Sequence, residues 1–75
     1  MKYTATITIE ETPKHIAKVL ETTDKKDEKV TMITTQKGND TIIHFNAKSA
    51  PVLRAALNAK MQSITIAEQA EENGI

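Results

Sequence analysis

The sequence predicts an α+β fold: a three-stranded antiparallel sheet with two helices on one face, in the order β-α-β-β-α. Three observations predict it. A cleanly alternating run opens the chain, two further β-like runs flank a glycine-containing turn, and a long helical segment closes it. The hairpin makes the second and third strands antiparallel. With the third strand placed between the other two, the whole sheet is antiparallel and the first crossover is a split βαβ unit. No linker, repeat or low-complexity tract interrupts the 75 residues, so 1–75 reads as one domain.

In Thr4-Ala5-Thr6-Ile7-Thr8-Ile9-Glu10 the residues Ala5, Ile7 and Ile9 point one way and the threonines the other, the pattern of a half-buried strand. Thr12-Pro13 reads as an N-cap followed by proline at the first helical position. Ile16, Val19 and Leu20 follow at helical spacing, with Lys14, Lys18 and Glu21 outward, which places a short helix at about 13–22. Thr22 to Lys29 is polar and aperiodic and reads as a solvated loop. Lys29–Gln36 and Thr41–Ala47 are strands, and Lys37-Gly38-Asn39-Asp40 supplies glycine and asparagine where a tight hairpin needs positive φ. Ile43, Phe45 and Ala47 share one face of the later strand, Ile42 and His44 the other. Such two-faced apolarity suits a central strand, or one whose outer face is also covered.

Proline disfavours the helical conformation for the residue before it, so the last helix is expected to start at Pro51, with Ser49 or Ala50 as cap. It runs to about Glu72 and stops at Asn73-Gly74. At 1.5 Å per residue that is roughly 33 Å. The β-branched Ile64-Thr65-Ile66 stays helical because helix-favouring neighbours flank it on both sides.

That helix is over-apolar. Leu53, Leu57, Met61 and Ile64 form one stripe. Val52, Ala55, Ala59, Ile66 and Ala70 form another, more than a quarter-turn away, and Arg54, Asn58, Thr65, Gln69 and Glu72 make the polar face. A surface helix needs one apolar stripe of about 100°. The first stripe covers the sheet; the first helix is too short to cover the second along its length. The expected partner interface is therefore Val52, Arg54, Ala55, Asn58, Ala59, Ile66 and Ala70. Small residues there let another helix approach, and Arg54, the only arginine, offers a planar fork to a carboxylate, a carbonyl or an RNA phosphate.

Composition narrows the function classes. A chain this short buries only roughly 60–65% of its unfolded surface. Disulfides, metals or oligomerisation commonly compensate. There is no cysteine, and His15 and His44 fall in no metal-site pattern, so a second copy of the chain is the expected support. Zero net charge, balanced within each half, argues against strong autonomous nucleic-acid binding. His15 and His44 with Glu10 or Asp40 are better read as structural than as an acid–base set. With only Gly38 and Gly74, no glycine-rich phosphate loop exists. Glu68, Glu71 and Glu72 read as a solvated helix face. No enzyme activity, catalytic residue, cofactor or metal is expected. No run resembles a signal peptide or membrane span, so a cytoplasmic location without membrane contact is expected.

Ile42-Ile43-His44-Phe45-Asn46-Ala47-Lys48-Ser49, followed by Leu53-Arg54-Ala55-Ala56-Leu57-Asn58-Ala59, resembles the small dimer-forming subunit of the KEOPS tRNA threonylcarbamoyladenosine-modification complex. Its eukaryotic relatives include a cancer/testis-antigen-like family. The likeness extends to Ser63-Ile64 and the early strand–helix unit. The resemblance implies a non-catalytic dimerisation and scaffold subunit whose helices dock the catalytic threonylcarbamoyl-transferase subunit. That partner, not this chain, binds the metal and the activated intermediate, and tRNA is reached indirectly or weakly. Two alternatives stand beside it: a paralogous capping subunit of the same complex, and an independent small RNA-binding α/β module. Against the module, Tyr3 and Phe45 are the only aromatics available for base stacking, and Phe45 is expected to be buried.

Overall fold

The computed structural model describes the backbone of residues 1–72 and the side chains of residues 1–70. Its elements are β1 (Tyr3–Ile9), α1 (Lys14–Glu21), β2 (Lys25–Lys26), β3 (Val30–Lys37), β4 (Asp40–Ala47) and α2 (Ala50–Glu72). The expected three-stranded β-α-β-β-α arrangement is corrected. The sheet has four antiparallel strands in the order β1-β4-β3-β2, and the chain reads β-α-β-β-β-α. The expected stop at Asn73-Gly74 lies outside the described residues.

The added strand is β2, where Lys25 pairs with Met32 and Lys26 with Thr31. No apolar alternation marks it, because both residues are exposed. Flanking aspartates hold it instead. Asp24 accepts the Thr34 N–H at 2.7 Å and the Thr34 hydroxyl at 2.6 Å. Asp27 accepts the N–H groups of Lys29 at 2.8 Å and Val30 at 3.0 Å, an Asx turn that folds the chain into β3. A strand specified by side-chain-to-backbone hydrogen bonds leaves no hydrophobic period to read.

Register aligns the apolar residues on one face. Ala5, Phe45 and Met32 lie side by side across three strands, as do Ile7, Ile43 and Thr34. Both helices cover this face: α2 packs on β4, β3 and β1, and α1 on β3 and α2. The core is Leu20, Val30, Met32, Ile43, Phe45, Ala47 and Ala56, with Ile7, Leu53, Leu57 and Ile64 packed around it. Phe45 sits at its centre, 2% exposed, and burying such a side chain stabilises by about 3 kcal/mol. The outer face holds Thr4, Thr6, Thr8, Thr31, Thr35, His44 and Asn46, with Ile33 and Ile42 half-exposed. Thus β4 is central, and its apolar outer residue faces an open surface.

Turn chemistry departs from expectation at three points. The hairpin loop is Gly38-Asn39, but only Gly38 takes positive φ, at 64°. This is the Gly-first pattern of a two-residue hairpin. Thr12 does not cap α1. It is buried, its hydroxyl donates to the Ile9 carbonyl at 2.9 Å, its N–H donates to the Asn39 carbonyl at 2.8 Å, and Pro13 occupies the cap without a side-chain bond. Before it, Glu11 takes φ 53°, held by its N–H to Asp40 Oδ1 at 3.1 Å. A non-glycine residue there costs about 1–2 kcal/mol, and the pinning to the hairpin offsets that cost. Finally, α2 begins at Ala50, with Ser49 as its cap: the Ser49 carbonyl and hydroxyl accept from Leu53 N–H at 3.0 Å and Val52 N–H at 3.4 Å.

Candidate partner interface

The face that α2 turns inward keeps Leu53, Leu57 and Ile64 of the predicted stripe against the core but is centred to one side of it. Its centre is Ala56, Lys60 and Ala67, which are 6%, 1% and 8% exposed. Leu53, Leu57 and Ile64 flank it half-buried, and Met61, expected inside, is 48% exposed. The reason is Lys60. Its ammonium donates to the Leu20 carbonyl at 3.0 Å, to Thr23 Oγ1 at 2.8 Å and to Asp24 Oδ1 at 3.0 Å. All three donor positions are used, and a buried cation is tolerated only when so satisfied. The Leu20 carbonyl belongs to the last turn of α1, where the helix dipole favours a cation. One side chain therefore ties the middle of α2 to the end of α1. Through Asp24, which also holds Thr34, it ties α2 to β3 as well.

Burial alone would raise the Asp24 pKa. The two hydrogen bonds from Thr34, then the hydrogen bond and charge of Lys60, outweigh it and hold the carboxyl below its ordinary range. At Asp27 the N–H groups of Val30 and Lys29 lower the pKa, with a smaller contribution from the Lys25 ammonium 3.7 Å away. Sequence reasoning missed Lys60. The available signal was a single lysine in line with Ala56, Ile64 and Ala67 at helical spacing, inside an otherwise apolar row.

With α1 drawn to the Lys60 side, two flanks of α2 stay open. On one, a groove of ≈ 320 Å³ runs between α2 and the β2–β3 side, lined by Val30, Met32, Lys25, Val52, Ala55 and Ala59 among others. On the other, a groove of ≈ 450 Å³ lies beside β1, with an apolar floor that includes Ile7, Ile9, Ile16 and Ile64 and an acidic rim of Glu10, Glu11 and Glu68. The structure thus brings Val52, Ala55 and Ala59 together in the first groove. Asn58 and Ile66 share a separate shallow surface with Met61, and Ile66 is 66% exposed. Ala70 lies half-buried, away from both groups. Arg54 is exposed and makes no hydrogen bond or ion pair among the described residues.

The outer edge of β1 also has no strand partner among the described residues, since β4 pairs only its inner edge. No helix among the described residues is long and apolar enough to cross a membrane. The model of one protein family, described as transcription factor Pcc1, matches residues 2–72. No curated protein matches the chain.

Proposed function

The chain belongs to the Pcc1 family, and from that premise we propose that it is the dimerising, non-catalytic scaffold of its complex, docking the subunit that transfers threonylcarbamoyl to the adenosine beside the tRNA anticodon. Pcc1 is a subunit of KEOPS, so a place in tRNA modification and association with other KEOPS subunits come with membership. Docking and dimerisation are the finer steps of the reading.

The observation that carries docking is the groove at Val52, Ala55 and Ala59. It is apolar, floored by small side chains and left unfilled by α1, which has 8 residues against the 23 of α2. A helix of the catalytic subunit fits such a surface, as small residues permit close approach and Arg54 and Asn58 stand exposed on the same helix. Dimerisation is supported by β1. Two copies paired antiparallel about Thr6 place Tyr3 beside Ile9 and Ala5 beside Ile7 on the inner face, and Lys2 beside Glu10 at each end. The same register brings the second copy alongside the apolar floor next to Ile7 and Ile9.

The test is capture of the catalytic subunit by wild type and by Ala59→Glu. Ala59 is exposed, so the substitution is expected to change stability by no more than about 0.5 kcal/mol while abolishing capture. Undiminished capture by a folded Ala59→Glu chain sinks the docking surface.

A further inference from the structure

Zero net charge conceals a separation of charge that only the register reveals. On the outer sheet face the alternation of β4 continues to Lys48, that of β3 back to Lys29, and Lys26 stands on the same face through its pairing with Thr31. The backbones of Lys48 and Lys29 are joined directly, the Lys48 N–H donating to the Lys29 carbonyl at 3.3 Å. All three lysines are exposed, and none makes an ion pair among the described residues. Lys2, next across from Lys48 on the β1 side, extends the row; in the dimer above it meets Glu10, so the other three carry the argument. The opposite end of the face holds Glu10 and Asp40 beside Lys37. Nearby acids do not cancel the patch. Asp27 is committed to Lys25 and to two backbone N–H groups, leaving Glu28 as the one exposed countercharge in that turn.

We propose that this lysine-bearing end of the outer face, Lys26, Lys29 and Lys48 with Thr31 and Asn46 between them, binds the phosphate backbone of RNA. Neighbouring strands lie about 4.8 Å apart, so flexible four-carbon stems rise close together and spread their heads along a polyanion. Thr31 and Asn46 add neutral donors and acceptors suited to phosphate and 2′-hydroxyl groups. Tyr3 lies on the inner face and Phe45 in the core, so the one ring on the outer face is the exposed His44 imidazole, two residues along β4 from Asn46. Binding at the lysine end is thus by charge and shape, and the large apolar residues of the face, Ile33 and Ile42, are only half-exposed. The choice of RNA among polyanions rests on the KEOPS reading; the charge separation does not.

The test titrates a fluorescent tRNA anticodon stem-loop against the full chain by anisotropy at several salt concentrations. Wild type is expected to bind at about 50 mM salt and to weaken steeply with added salt. Lys26→Glu/Lys29→Glu/Lys48→Glu is expected to weaken binding at least about tenfold and to flatten the log–log salt slope by about 2, three contacts at about 0.7 each. The matching arginine variant retains binding. Lys14→Glu/Lys18→Glu on α1, which removes two of the chain's exposed lysines against three in the triple variant, leaves binding near wild type. An unchanged triple variant, an equal loss in the α1 variant, no binding by wild type at low salt, or equal binding to anionic phospholipid vesicles each overturns the proposal. Capture of the catalytic subunit by the triple variant, measured alongside, reports on the KEOPS reading separately and is expected to be intact.

Discussion

Along β1, seven residues run from Tyr3 to Ile9 without a charge, a proline or a break in register, and their outer edge has no partner among the described residues. At the far edge of the same sheet, β2 offers two residues, both exposed lysines, and a turn stiffened by Asp27. Short, lysine-bearing edges resist strand addition, whereas long β-branched ones invite it. The difference teaches that this sheet is built to grow on one side only. The pairing proposed above would be closed, because it consumes that edge in both copies.

The largest expected effect comes from breaking the guarded edge at its root. Asp24→Ala strands the Lys60 ammonium in the interior. It is expected to cost about 3–5 kcal/mol and, in a domain this small, to lower Tm by more than about 10 °C. Lys60→Met removes the charge with similar volume and is expected to stay within about 1–2 kcal/mol of wild type. Thermal melts of both decide it. Equal losses would mean that the cation itself, rather than its stranding, governs the clasp.

The open edge gives the next effect. Thr6 lies on the proposed two-fold, so Thr6→Lys sets two ammonium groups beside each other across the seam while leaving the solvent-facing side of β1 soluble. Sedimentation is expected to show dimer dissociation strengthened about tenfold, or about 1.4 kcal/mol, with Tm at high protein concentration little changed. An unaltered dimer would move the pairing surface away from β1.

Acid gives the smallest effect and returns to the guarded edge. Asp24 has a folded pKa below the ordinary 3.8, so well above that value neither state holds its proton and its contribution is complete. As pH falls through 3.8 toward the folded value the unfolded state gains protons first, and that contribution is lost. Wild type is therefore expected to lose more stability than Asp24→Asn between about pH 5 and pH 2.5. Parallel acid titrations would show Asp24 to be an ordinary surface carboxylate.

These contrasts also mark what was legible in the sequence. Alternation in β1, the glycine-bearing hairpin and the length of α2 were readable because each burial pattern is local and periodic. Three features were not. β2 arises from aspartate-to-backbone bonds ten residues apart, as in Asp24 with Thr34. Thr12 fails as a cap because the hairpin that buries it is distant in sequence. Lys60 lies at the centre of the inward face while Met61 of the projected stripe is exposed, and a lysine scored by type alone belongs outside. Ala55 and Ala59 are exposed, and the groove they line depends on where α1 settles. The lysine row on the outer face was hidden for a related reason: its members sit in three segments that only strand pairing brings abreast.

Lys60 carries one more consequence, and it is practical. Every other lysine in the chain is exposed, while the side chain of Lys60 is 0% exposed. Reagents that acylate free amines will therefore mark the others at once and reach Lys60 only when α2 lifts from the end of α1. The rate at which that single amine becomes labelled, read by mass spectrometry, is a clock for the opening of the helix pair, and the native chain needs no added probe to carry it.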